Sequence, residues 1–364
     1  MKNLLASVTA LLFILALAAC STPPTPASAP LPPASPAGAA VAGDAGVDAD
    51  YSWLIIRLGH HARPGSARDI GSHFFKDFIE ERLPGSEVHI FPAGQLGTGP
   101  EQMQQLQLGA LEIGVHPSTF LGGIQPLTSI LDVPWLLPTD FDDLMELYHE
   151  SAAGEALKAT TLEVGIRTLT IWHDGYSHWT ANRPLASLED FNGLVVRVMP
   201  SPMRIAMTDR LGGTAINMDW GEVYNAMLTG AVDSHENPLA IITDARIHEV
   251  QSDLTFTNHN TLEQFFMVSE IWWQGLPEHV QDTIIEGAFL GKPVAAAEVV
   301  RLDIEAIDMM EEEGMSFHTL PEAELQRWKE ATYLVRQDFV DAFGEPAAEL
   351  LAIFEQEIDR ITNR

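Results

Sequence analysis

From position 51 onward the apolar positions follow two alternating periods. Short aliphatic and β-branched runs at 54–58, 88–91, 113–115, 165–172 and 194–198 read as strands buried on both faces. Between them the spacing lengthens to that of a helix. Ile70, Phe74 and Phe78 mark one over 70–83, closed by Pro84-Gly85, and others are predicted over 101–108, from about 140 to 159, and over 203–211, where Gly212-Gly213 stops the turn. Strand and helix in alternation is the grammar of an open parallel sheet, whose ligands sit beyond the carboxyl ends of the strands.

The stretch 188–240 carries the strongest version of this pattern. Arg197 interrupts the apolar run Leu194-Val195-Val196 and Val198. A guanidinium keeps its charge, so a buried one must meet acceptors. A second short strand (Ala215, Ile216, Met218) leads into helix at Trp220-Gly221-Glu222-Val223-Tyr224, and the chain then turns back to Glu236-Asn237-Pro238. Arg197 and Asn237 both fall at strand ends. Together they suit a planar anion, the guanidinium making the paired hydrogen bonds that a carboxylate accepts. From the pattern alone, an internal ion pair for Arg197 with one of the chain's many acidic residues is the plainer alternative.

Composition narrows the partners. At 364 residues two domains are expected. Lys+Arg of 20 against Asp+Glu of 51 gives a formal net charge of −31, which repels phosphate backbones and argues against nucleic acid. An anionic ligand is still allowed, because one buried arginine acts locally while the surface field is screened. The amino end sets the compartment: Lys2, a short apolar region over 11–19, then Leu17-Ala18-Ala19-Cys20. This is the pattern of a lipoprotein signal, residues 1–20, with lipidation of Cys20; a plain secretory signal with an incidental cysteine is the alternative. Cys20 is the only cysteine, so no disulfide forms within the chain. Residues 21–50 are rich in Pro and Ala without hydrophobic period, and read as a tether that cannot offset its ordering entropy.

Several chemical motifs are tempting and fail. Gly94-Gln95-Leu96-Gly97-Thr98-Gly99 lacks the third glycine of a dinucleotide loop and the Gly-Lys-Ser/Thr of a P-loop. His60 and His61 are sequence neighbours that point apart, with no further ligands at metal-site spacing, so no metal and no cofactor is expected. Gly175-Tyr176-Ser177-His178-Trp179 matches most of the hydrolase elbow, but Trp179 replaces the glycine that the sharp turn needs, and adjacent residues seldom make a nucleophile–base pair. A secreted serine hydrolase built on Ser177 and His178 is therefore only a secondary alternative, and no catalytic residue is assigned.

The ordered set Phe91-Pro92-Ala93-Gly94-Gln95-Leu96-Gly97, Gly109-Ala110-Leu111-Glu112, Asp132-Val133-Pro134-Trp135, Gly193 to Val198, Leu211-Gly212-Gly213, Met218 to Pro238 and Thr257-Asn258-His259 resembles the solute receptors of tripartite ATP-independent periplasmic (TRAP) transporters, the DctP-like family. The likeness covers nearly everything from about residue 51 onward.

The resemblance implies a two-lobed α/β fold of the periplasmic-binding-protein type (type II-like). Each lobe would be a mostly parallel sheet flanked by helices, with strands at 255–258 and 264–268 crossing between lobes. Lobe I would comprise 51–174 plus about 263–302, and lobe II about 175–262 plus 303–364. Relatives brace both lobes with a long helix; here Gly291-Lys292-Pro293 interrupts it, and an internal proline costs about 3 kcal/mol, so a kink or two helices meeting near Pro293 are expected. A strand at 315–318 and helices over 322–343 and 346–361 close the chain.

The implied function is an extracytoplasmic, lipid-anchored, monomeric receptor, not an enzyme, that captures an organic acid and delivers it to the TRAP permease subunits. A signalling receptor of the same fold is the alternative. Arg197 and Asn237 would hold the carboxylate, Trp220 and Tyr224 would pack on the hydrocarbon part, and Ser118, His61, His178 and Ser177 are further candidates. His61 serves equally as a structural histidine, and Trp220 as core. Many relatives carry a second arginine at Ser177, and sialic-acid receptors place asparagine at His61 and glutamate at Pro117. Those departures imply a ligand other than sialic acid, and the three tryptophans Trp172, Trp179 and Trp220 hint at a more apolar acid.

Overall fold

The computed structural model describes residues 50–364. The expectations for the signal segment, for Cys20 and for all but the last residue of the tether fall outside that range. The first five strands are β1 (Ile55–Gly59), β2 (Glu87–Phe91), β3 (Ile113–Pro117), β4 (Ile166–Tyr176) and β5 (His178–Ala181). They are followed by β6 (Val195–Val198), β7 (Thr214–Asn217), β8 (Ser234–Asn237), β9 (Asp253–Phe256), β10 (Thr261–Ser269) and β11 (Ser316–Thr319). One sheet has the order β2-β1-β3-β10-β4 and the other β11-β9-β5-β8-β6-β7. All neighbours are parallel except those of β10 in the first sheet and β5 in the second.

Those two exceptions mark the two places where one strand follows another directly from sheet to sheet. Ser177 alone separates β4 from β5, and residues 257–260 separate β9 from β10. The two crossings lie side by side, joined by the Ser177 N–H donating to the Asn260 carbonyl at 2.8 Å. Sheet position explains the composition of the strands. All nine residues of β10 are buried, as befits a strand with pairing on both edges and cover on both faces, whereas edge strands β7 and β11 keep exposed positions.

The helix Glu278–Glu312 runs for 35 residues with Pro293 inside it, so of the two expected forms, kinked or divided, the divided one does not occur. Packing at both ends outweighs the lost backbone bond: Val280, Ile284, Ala288 and Ala295 belong to the core of the first sheet, while Ala306 and Met310 belong to a core cluster of the second lobe. Its closest approach is set by glycine. Trp172 of β4 donates its indole N–H to the Ala288 carbonyl at 3.0 Å, and its ring lies against Gly71 of the helix Ala67–Arg82 and against Gly291. A Cβ at Gly291 would stand 2.8 Å from Trp172 Cζ2 and one at Gly71 would stand 2.7 Å from Cζ3.

Two helices predicted as continuous are each divided. The segment from about 140 to 159 becomes Phe141–His149 and Ala152–Glu163, because the Ser151 hydroxyl caps the second by accepting from the N–H groups of Ala153 and Gly154. Residues 322–343 become Glu322–Thr332 and Val335–Phe343.

Gly291→Val is expected to destabilise the protein by about 1–3 kcal/mol, since the ring of Trp172 has no room to retreat between two helices. Urea denaturation of variant and wild type measures this; equal midpoints would show that the crossing tolerates side chains.

Candidate functional site

Between the sheets lies a cleft of about 450 Å³, counted to its open mouth. The first lobe lines it with His61 and Ala62 from the loop after β1, Arg68 from the start of the helix Ala67–Arg82, Pro117 at the end of β3, and Phe120. The second lobe contributes Arg197 and Met199 at the end of β6, Trp220 after β7, Asn237 at the end of β8, and Ile241 and Asp244 of the helix Leu239–Asp244. Leu262 of β10 forms part of the floor. Most of these residues sit at or just past carboxyl ends of strands, where open sheets place ligands.

Arg197 is 2 % exposed, yet no ion pair is found for it among the described residues. Its Nε and Nη2 donate to the Met218 carbonyl at 3.2 and 3.0 Å, and its guanidinium carbon lies 5.2 Å from the centre of the Trp220 ring. Burial lowers its pKa to about 10, with Glu236 and Asp219 pulling the other way from a distance and Arg204 adding to the fall, so it remains cationic at neutral pH. Trp220 is stacked in turn on His235, at 6.4 Å and 23°. Asn237 is 2 % exposed and its Nδ2 is buried without a protein acceptor.

Arg204 makes the contrast. Seven positions further on, it is just as buried, but it is held by Asp132 at 2.7 Å and by Glu236. Glu236 would be raised by burial alone, but Arg204 and His259 bring it down to about 2. Asp132 beside the same guanidinium moves upward, burial dominating there. Arg204 is thus a structural cation and Arg197 an open one.

His61 stands at the cleft as a neutral ring, lowered to about 4 by burial and then by Arg68. Its Nε2 faces the Gly97 carbonyl at 3.1 Å, which only accepts, so the proton sits on Nε2 and Nδ1 receives the hydrogen bond from His116 Nδ1 at 3.3 Å.

Of the residues singled out from sequence, Arg197, Asn237, Trp220 and His61 meet around the cleft. Ser118, Ser177, His178 and Tyr224 do not line it. The chain tightens into a 3-10 turn at Ser118–Leu121, which presents Phe120 instead of Ser118. Ser177 occupies the lobe crossing with its hydroxyl buried and unpartnered. His178 is turned into the second sheet, where Nδ1 accepts from the Thr257 N–H at 3.3 Å. No hydrogen bond joins Ser177 to His178 among the described residues, so the pair lacks the contact a hydrolase dyad needs. Tyr224 donates its hydroxyl to Glu249 at 2.8 Å.

Arg68 and Asp244 were missed. Arg68 donates from Nη2 to Asp174 at 2.7 Å and has a buried, unpartnered Nε. A cation in the first turn of a helix runs against the helix dipole, and that local conflict was the available signal.

Two lobes around a cleft bearing an open guanidinium define a solute-binding protein. The model for the bacterial extracellular solute-binding proteins, family 7 (DctP), matches residues 58–341, and the chain belongs to that family. It is 31 % identical over 300 residues to the sialic acid-binding periplasmic protein SiaP of Vibrio cholerae, covering 82 % of this chain and 92 % of that protein. Over 308 residues it is 28 % identical to the ectoine-binding periplasmic protein TeaA of Halomonas elongata, covering 84 % and 90 %. A TRAP periplasmic solute-binding protein of Desulfovibrio salexigens with bound orotic acid superimposes with a TM-score of 0.82 at 30 % identity, over 85 % of this chain and all of that one. The chain is therefore an extracytoplasmic receptor of this family and not an enzyme.

Burial holds His178 and His235 down to about 3 and His61 down to about 4. Each is neutral in the folded state and takes up a proton near pH 6.5 when unfolded, so stability is undiminished above that pH and falls as pH drops toward 4. The slope is about 1.4 kcal/mol per pH unit for each group. Replacing one of them, His178→Asn, is expected to flatten the stability–pH curve between pH 6 and 4 by that amount. Chemical denaturation across this range reads the difference directly, and Glu263, which burial lifts to about 8, cancels between variant and wild type.

Proposed function

We propose that this receptor captures an organic acid by its carboxylate on Arg197 and delivers it to the membrane subunits of a TRAP transporter. The observation that carries the reading is a fully buried guanidinium at the cleft with no ion pair in the described part of the protein. A ligand carboxylate can accept from the N–H groups left over by the Met218 carbonyl, and Asn237 Nδ2 offers a further donor beside it. The faces of Trp220 and Phe120 suit the hydrocarbon part. Relatives named for sialic acid and ectoine, and a fold neighbour holding orotic acid, support a small carboxylate as the class. His61 and Pro117 shape a wall unlike the polar one expected for a sialic acid.

In this reading lobe I (51–174 plus about 263–302) and lobe II (about 175–262 plus 303–364) close by a hinge at the two strand crossings, with the helix Glu278–Glu312 bending along and the segment Pro126–Asp132, which Arg204 holds through Asp132, moving with lobe II. The receptor works as a monomer, held to the membrane by lipid on Cys20 and spaced from it by residues 21–50.

Truncating the central cation, Arg197→Ala, is expected to cost about 2–5 kcal/mol of binding, or roughly 30- to several-thousand-fold in affinity. A thermal-shift panel of mono- and dicarboxylates finds the ligand, and calorimetry of the variant follows. Undiminished affinity would remove Arg197 from the site. For the anchor, Cys20→Ser is expected to move the protein from the membrane to the soluble fraction of fractionated cells; continued sedimentation with membranes would exclude lipidation there.

A further inference from the structure

The cleft has more charge than one carboxylate needs, and its distribution is uneven. Three ionic side chains line it: Arg197, Arg68 and Asp244. Among the described residues Arg197 has the Met218 carbonyl as its only hydrogen-bond acceptor and the Trp220 ring beside it, whereas Arg68 already shares its charge with Asp174, its Nη2 lying 2.7 Å from that carboxylate in a pair that is 4 % and 7 % exposed, though its Nε is still unpartnered. Asp244 enters from the second lobe. It lies half-buried at the end of the helix Leu239–Asp244 and accepts only a long hydrogen bond of 3.5 Å, from the Arg63 N–H of the opposite lobe. Burial lifts its carboxyl above the usual range, while Arg63 and Arg68 oppose the rise. The groups behind the wall supply no spare positive charge, since Arg204 is shared between Asp132 and Glu236. The lining histidine, His61, is neutral at pH 7.

We infer that the cleft selects a monocarboxylate whose far end carries a hydrogen-bond donor and no second negative charge, and that Asp244 is the residue that enforces the choice. This deepens, and rests on, the reading that Arg197 takes the ligand carboxylate. A monoanion satisfies Arg197 and leaves Asp244 to accept from an amide, amine or hydroxyl at the other end. A dianion of the same length brings its second carboxylate up against half-buried Asp244, where the one other cation lining the cleft, Arg68, is already shared with Asp174. Like charges there repel with little screening. Selectivity by such a mismatch raises the cost of the wrong ligand rather than improving the right one.

Matched pairs that differ only in one terminal group provide the test: succinate against succinamate, glutarate against glutaramate, and terephthalate against 4-carbamoylbenzoate. Calorimetry at pH 7.5 is expected to show the monoamide of the pair that fits binding at least about tenfold more tightly than its diacid. Asp244→Asn is expected to shrink or reverse that ratio, chiefly by strengthening the diacid. A diacid that binds wild type as well as its monoamide, or a ratio unmoved by Asp244→Asn in a variant with a native melt, overturns the inference. Arg197→Ala reports on the parent reading separately. If it abolishes both members of a pair that bind wild type equally, the carboxylate reading stands and the role of Asp244 alone falls. If no pair binds wild type at all, both fall together.

Discussion

The structure depends on how it treats one buried charge. Removing a guanidinium from water costs several kcal/mol, and proteins usually recover it with a carboxylate. Arg204 follows that rule with Asp132 and Glu236. Arg197 receives instead a backbone carbonyl and the face of Trp220, neither of which carries a full negative charge. The depression of its pKa to about 10 is the mark of that incomplete compensation. Folding thus holds open an electrostatic deficit in the cleft, and under the proposed function an incoming anion relieves it, so that specificity for acids would follow from the deficit itself.

Such a charge is tolerable only if its surroundings cannot collapse onto it. The Arg204 cluster supplies the rigidity. It ties the 3-10 segment Pro126–Asp132, the helix Pro202–Leu211 and β8 into one unit, joining parts of the chain far apart in sequence. In β8 the side chains alternate between faces, so fixing Glu236 on one face sets Asn237 and His235 on the other. His235 then carries Trp220, and Trp220 carries Arg197. The wall of the cleft is therefore indexed to a buried ion cluster that does not line it, which accounts for two fully buried arginines within eight residues.

Most of this fold was legible because strand and helix periods are strong wherever both faces of a sheet are covered. The fully buried β10 and the runs around β1, β3 and β6 show it. The lining of the cleft was legible where it coincides with strand ends, hence Arg197 and Asn237. It was obscured where local geometry decides direction. Ser177 and His178 sit at the lobe crossing, and a single-residue crossing turns the following side chains into the sheet rather than toward the gap. Ser118 fell to a 3-10 turn that no periodicity announces, and the same turn delivers Phe120. Arg68 and Asp244 lie at opposite ends of their helices, on elements whose orientation is set by tertiary packing. Pro293 did not divide its helix, because the intrinsic penalty of a mid-helix proline was outweighed by cores at both ends of the helix.

The remaining tension is between an acidic protein and an acidic ligand. With 51 acidic against 20 basic side chains, the surface repels any approaching anion, so long-range steering works against capture. Screening resolves it: at about 0.15 M ionic strength charges further than roughly 8 Å apart scarcely interact, whereas a buried pair is hardly affected. The repulsion therefore acts on the encounter and fades with salt, and the attraction proposed for Arg197 would act after entry and persist. A receptor built this way gains association rate as salt rises while its dissociation rate, governed inside the cleft, changes little. The direction is opposite to that of a receptor whose surface attracts its ligand, and it follows from placing a buried cation without an ion pair among the described residues in the cleft of a strongly acidic protein.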